Sequence, residues 1–201
     1  MSIVTASSTL DNGRLCFHLD NGTKLVLYRG EARRFCMQEG RTLSEEEEYT
    51  LIHEVIGKRA KKRALHLLEQ MDRTERQLKD KLVQGGYPQV CVEQAVAYVK
   101  SYHYIDDYRY ACTYIRYRQD RMSRQQLKLK LTGKGVARDV IEQALEETYE
   151  GDEAAQIAGL LEKKHFDAKK ADQKEFQRTY QFLMRRGFKS GEVLKAMKNK
   201  Q

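Results

Sequence analysis

A motif that recurs at nearly fixed distance constrains this chain more than any other feature. Leu78 and Leu82, one helical turn apart, are followed by Gly86-Tyr87. Forty-nine residues later stand Leu127, Leu131 and Gly135-Val136, and fifty-two after those stand Leu183 and Gly187-Phe188. An apolar stripe follows each glycine: Val92, Ala95 and Val96; Ile141, Ala144 and Leu145; Val193, Ala196 and Met197. Offsets of 0, 3 and 4 place each trio on one face of a helix. Helix starts repeat as well, with Thr74-x-x-Gln77 and Ser123-x-x-Gln126 each twelve residues before its glycine. Both are capping boxes, and Asp172-x-x-Glu175 plays the same part fifteen residues before Gly187. The three extra residues, about one more helical turn, account for the longer second period. Another apolar helix precedes each cap, carrying Ala64, Leu68 and Met71, then Ala111 and Ile115, then Ile157, Leu160 and Leu161. The reading is a mainly α chain of three tandem three-helix repeats, 58–105, 106–152 and 153–201. Gly86, Gly135 and Gly187 should each end a second helix in a left-handed cap. Units of some fifty residues bury little alone, so an elongated, curved body of contacting neighbours is expected.

Residues 1–57 read differently, as a small β-hairpin plus helices. Arg14 to Leu19 and Thr23 to Tyr28 are strand-like, and Asp20-Asn21-Gly22 signals a hairpin turn in which Asn21 and Gly22 take positive φ. A short helix is expected from about Gly30 to Met37, closed by Gly40. Ser44-Glu45-Glu46-Glu47 is a further capping box, and its acids favour the positive helix end.

The 201 residues hold 37 basic and 29 acidic side chains, a net charge of +8. Six basic against nine acidic residues give the head −3, while 31 against 20 give the repeats +11. A basic body with a mildly acidic head implies a polyanion or an acidic protein surface as partner.

Catalytic chemistry finds little support. Asp106-Asp107 is the most conspicuous acidic pair, but no third ligand stands at a useful helical offset. Asp106 reads as the cap of the helix that begins there, with a local pairing to Arg109. The histidines, at 18, 53, 66, 103 and 165, belong to no H-E-x-x-H and no nucleophile–base pair. Cys16, Cys36, Cys91 and Cys112 stand too far apart for zinc-ligand spacing, so reduced thiols are expected. No phosphate-cradling glycine motif occurs, and Gly133-Lys134-Gly135 is explained by helix termination. The expectation is therefore a non-enzyme without cofactor or metal. No apolar run approaches the roughly 18 residues that cross a bilayer. Met1-Ser2-Ile3-Val4-Thr5 lacks the layout of a secretory signal. A cytoplasmic monomer that does not contact membranes is expected.

Basic residues interleaved with aromatics are the remaining signal. Tyr98, Tyr102, Tyr104, Tyr108, Tyr110, Tyr114 and Tyr117 crowd the junction of the first two repeats. Arg109, Arg116, Arg118, Arg121 and Arg124 interleave with them or follow. Such faces can track a single strand by stacking and phosphate neutralisation. Tyr110, Tyr114 and Tyr117 also fit a helical stripe packed into a core. Arg59, Lys62 and Arg63 in the first repeat, with Lys128, Lys134 and Arg138 in the second, extend the candidate basic surface.

Two segments carry a resemblance. Tyr104-Ile105-Asp106-Asp107-Tyr108-Arg109-Tyr110-Ala111, followed by Leu127 to Val136, resembles the RecX family of recombination regulators. Gln77 to Leu82 with Gly86-Tyr87 looks like the counterpart in the first repeat, and residues 1–57 look like the extension of longer members. His103 stands at the family's usual glycine, and Asp120 to Arg124 replaces a Gly-x-Gly-like spacing. The resemblance implies a partner, the RecA filament on single-stranded and possibly double-stranded DNA. It also implies that recombinase, ATPase and co-protease activities are reduced. A stand-alone DNA-binding protein reading duplex grooves with helix-turn-helix-like units is the alternative.

Overall fold

The computed structural model describes residues 1–10 and 13–199. It divides into two compact units, Met1–Asp106 and the chain from Asp107 onward. In the first unit, β1 (Ser2–Thr9), β2 (Arg14–Leu19), β3 (Lys24–Tyr28) and β4 (Thr42–Leu43) form an antiparallel sheet in the order β3-β2-β1-β4. The expected hairpin is thus one side of a four-stranded sheet. Its β1 had no clear signal, because only Ser2 and Val4 among its eight residues are buried. Five pairs from Arg14↔Tyr28 to His18↔Lys24 set the hairpin register.

The hairpin turn departs from the expected form. Gly22 has φ +81, but Asn21 does not enter the left-handed region. The Gly22 N–H donates to Leu19 O, and the Leu19 N–H donates to Thr23 O. This is a tight turn followed by one left-handed glycine, a G1-bulge arrangement. It leaves the Asn21 amide free to donate to Ser2 Oγ and Glu48 Oε1, tying the turn to β1 and the next helix.

Helix α1 (Arg29–Arg34) stops short of Met37 because Cys36 turns left-handed at φ +49, and the Met37 N–H reaches back to Ala32 O. Helix α2 (Glu45–Tyr49) opens on the expected Ser44–Glu47 box, with both reciprocal bonds present. It passes without a break into a π-helical stretch, Thr50–Ile56, and then α3 (Gly57–Gln70). The wide turn aims Ile52 O at two donors, the Gly57 N–H and the Cys91 thiol at 3.3 Å. Burial pushes that thiol up to about 11.

Helices α4 (Glu75–Gln84) and α5 (Gln89–Ser101) complete the first three-helix group. Head and helices share one core: Leu25, Leu27 and Leu43 pack in the same cluster as Ile56, Ala60, Leu78, Leu82 and Val92. Gly86, at φ +83, sits where a Cβ would lie 2.8 Å from Val26 Cγ2. Glycine here satisfies both the left-handed turn and a close approach to β3.

The second unit holds α6 (Asp107–Arg118), α7 (Arg124–Gly133) and α8 (Arg138–Thr148), then α9 (Glu153–Lys163), α10 (Gln173–Arg185) and α11 (Ser190–Asn199). Each trio encloses its own core, one around Ile115, Leu127, Leu131 and Ile141, the other around Ile157, Leu161, Leu183 and Val193. Ser123 joins them. Its Oγ accepts from Gln126 N at the start of α7 and donates to Arg186 O at 2.6 Å, at the end of α10. Gly187 repeats the logic of Gly86, since a Cβ there would stand 3.0 Å from both Gln125 Cβ and Ser123 Oγ. Gly135 has the same left-handed φ, +87.

Candidate functional site

Helix α6 positions the tyrosines. Tyr110 and Tyr114, one turn apart, pack half-buried against the core of Ala111, Cys112 and Ile115. Their rings stack at 6.3 Å with planes 17° apart. Lys134 Nζ lies 5.8 and 5.4 Å from the two centroids, and the Arg118 guanidinium is 4.7 Å from that of Tyr114. The two rings therefore act as a floor that fixes cations, at about 0.5–1 kcal/mol per contact for exposed groups. Tyr117 differs: it is 84% exposed, outside the expected core stripe. In the first unit, Tyr98, Tyr102 and Tyr104 form a chain of ring contacts at 5.0 and 6.0 Å, with Lys61 over Tyr98. Tyr108 instead donates its hydroxyl to Glu147. That bond holds the Glu147 carboxyl below its usual range and raises the phenol.

The basic residues fall into two groups. Arg116, Arg118, Arg121, Arg124 and Arg138 are exposed and make no ion pair with the described residues. Arg116 and Arg118 lie in the last turn of α6, where the helix dipole favours cations. Arg124 and Arg138 open α7 and α8, where the dipole disfavours them. Part of that cost is offset by Glu142, whose carboxyl is held below its usual range by Lys128 first and then by Arg124 and Arg138. Lys62 and Arg63 are exposed on α3, in the first unit, and Arg109 is exposed on α6.

Arg59 and Lys128 are engaged internally. Arg59 bonds Glu31 Oε2 and Val26 O, both at 2.5 Å, and its guanidinium lies over the rings of Tyr28 and Tyr87. It fastens α3 to the head. Lys128 pairs with Glu142, whose carboxyl it holds below the usual range. Asp107 is the first residue of α6 and Asp106 immediately precedes it. Among the described residues, no group of three His, Cys, Asp or Glu side chains could hold a metal ion. No described helix is long and apolar enough to cross a membrane.

Sequence reasoning missed the aromatic–cation contacts of the third repeat. Lys164 and Arg186 lie 4.4 and 3.9 Å from the Phe182 centroid. A signal was available: Arg186 precedes Gly187 as Lys134 precedes Gly135, and both cations cover rings.

Family models match all three helical groups: the first three-helix domain of RecX over residues 60–98, the second over 106–145 and the third over 151–197. A Vibrio parahaemolyticus protein called Regulatory protein RecX is 33% identical over 140 residues, covering 69% of this chain and 89% of its own. The chain belongs to the RecX family. A RecX from Caldanaerobacter subterraneus is 28% identical over 162 residues, covering 80% of each chain. A crystal structure of regulatory protein RecX covers 99% of this chain and all of its own, with a TM-score of 0.66 at 22% identity. That of RecX from Lactobacillus salivarius covers 72% of this chain and 96% of its own, with a TM-score of 0.61 at 20% identity. These two likenesses establish the fold. The first matched RecX domain falls on α3 to α5, the second on α6 to α8 and the third on α9 to α11.

Proposed function

We propose that this RecX-family chain is a non-enzymatic cytoplasmic regulator that binds, as a monomer, the RecA filament on single-stranded DNA. Binding lowers recombinase, ATPase and co-protease activity. The observation that carries the reading is the set of exposed arginines of the second repeat, Arg116, Arg118, Arg121, Arg124 and Arg138, without ion-pair partners among the described residues. Guanidinium groups held in this way are suited to phosphates or to acidic protein surface. Several modest contacts spread over linked repeats give avidity along a polymer without one deep pocket. Arg109 and Lys134 add their charge to this set within the second unit, and Lys62 and Arg63 supply exposed charge on the first, whereas Arg59 and Lys128 contribute through packing.

The deciding measurement is RecA-dependent ATP hydrolysis on single-stranded DNA with the chain added well below the RecA concentration. Inhibition is expected, and it should weaken at least tenfold when Arg116, Arg118 and Arg121 are all changed to Glu, with the melting temperature unchanged. If about six phosphates are neutralised, affinity should fall roughly 10³-fold between 50 and 200 mM salt. Unaltered ATP hydrolysis together with tight binding to one duplex sequence would instead support the stand-alone DNA-binding reading.

A further inference from the structure

Between the second and third helical groups lies an open hollow of about 560 Å³, lined by Arg121, Met122, Gln126, Phe182, Arg185 and Arg186. Three guanidinium groups and a carboxamide line it, and no carboxylate does. None of the three arginines forms an ion pair with a described residue. Like charges gathered around one hollow repel each other, and an anion placed between them reverses that cost. The apolar part of the lining, Met122 and Phe182, lowers the local dielectric and strengthens the attraction.

The framework is fixed in advance. Arg186 lies over Phe182, its carbonyl accepts the Ser123 hydroxyl, and Gly187 is in close contact with Gln125. The two sides of the hollow, the start of α7 and the end of α10, are therefore joined at its edge. Arg121 also faces a neighbouring hollow that contains Asp120 and Asp152, so acidic groups are near but on another side.

We propose that this hollow is a phosphate site for the backbone of a nucleic-acid strand. Three guanidinium forks and the Gln126 amide offer more donors than one carboxylate can accept, and they suit the oxygens of a phosphodiester. At about 560 Å³ and open to solvent, the hollow has room for a nucleotide's phosphate and sugar. Phe182 already carries Lys164 and Arg186, so its ring serves to hold cations and the site reads no base. The inference deepens the regulator reading and rests on its claim that the chain meets a polyanion.

The test uses the full chain and a fluorescein-labelled single-stranded oligonucleotide of about 20 nucleotides, followed by anisotropy at several salt concentrations. Arg121→Gln with Arg185→Gln removes two charges from the hollow. Lys174→Gln with Arg178→Gln removes two from exposed positions on α10 outside it. The first pair should lose at least tenfold in affinity and flatten the logarithmic salt slope by about 1.4, the value for two single-strand phosphates. The second pair should stay within about threefold of wild type. Thermal melts of both pairs exclude unfolding as the cause. Equal losses in the two pairs, or no binding of the oligonucleotide by the wild-type chain, overturn the proposal. Undiminished oligonucleotide binding with weakened binding to polyglutamate also overturns it, in favour of an acidic protein partner. RecA ATP hydrolysis separates this inference from the broader one. If the wild-type chain inhibits RecA while the first pair binds DNA as the second does, the phosphate site fails and the regulator stands. If the first pair alone loses DNA while wild type leaves RecA unaffected, the site stands and the regulator reading fails.

Discussion

His165 occupies a position that glycine fills elsewhere in the chain. Its φ is +52, just past the end of α9, its N–H bonds Glu162 O, and the next N–H bonds Leu161 O. That is a Schellman closure built on a residue with a Cβ. A left-handed non-glycine residue costs about 1–2 kcal/mol, and glycine in the unfolded chain returns about 0.5–1 of that. His165→Gly should therefore stabilise the protein by about 0.5 kcal/mol, read as a higher urea midpoint at constant slope. A lower midpoint would mean that the imidazole contributes more than its backbone strain costs. The cysteines illustrate the same dependence on position: Cys91 is buried and donates to a carbonyl, whereas Cys36 is exposed at a left-handed helix end.

At the level of single elements, the first three-helix group is pinned by a carboxylate in the first turn of α4. Glu75 accepts from Lys79 at 2.6 Å and from Lys100, at the end of α5, at 2.7 Å. Bonds from Lys100 and Lys79 hold its carboxyl below the usual range. With the folded value depressed, the stabilisation is present above about pH 4.3 and is lost as pH falls through the folded value. Glu75→Gln should cost about 0.5–1 kcal/mol at pH 7, modest because all three side chains are partly exposed. The gap from wild type should close in acid, as checked by denaturant melts at pH 7 and pH 3. A gap independent of pH would assign the effect to the packing of the side chain rather than to its charge. The helices and caps were legible because periodicity and capping residues are local, as at Thr74–Gln77. Strand β1 was not, since its outer residues face water on both sides and show no alternation. The candidate site was legible in part. Exposed arginines such as Arg116 follow from their placement between core positions. Arg59 and Lys128 find partners 28 and 14 residues away, which local pattern does not register.

Taken as a whole, the head is a structural part of the first repeat. Leu25, Leu27 and Leu43 are fully buried in the core that also holds Ala60, Leu78 and Leu82, and each such side chain contributes about 1.5–3 kcal/mol by leaving water. Deleting residues 1–43 should abolish hydrogen-exchange protection across α3 to α5 while α6 to α11 keep theirs. Undiminished protection in α3 to α5 would mean that the helices close a sufficient core without the sheet. The glycine turns carry a further consequence for how such an array can be lengthened or shortened. Gly86 nests on Val26 and Gly187 on Ser123 and Gln125, so one kind of plug has been given two unrelated sockets. A repeat of this design is not self-sufficient cargo that can be appended anywhere. It can be grafted only where the recipient already presents a small, close-fitting seat, and cutting away the last repeat would leave the Ser123 hydroxyl without its carbonyl.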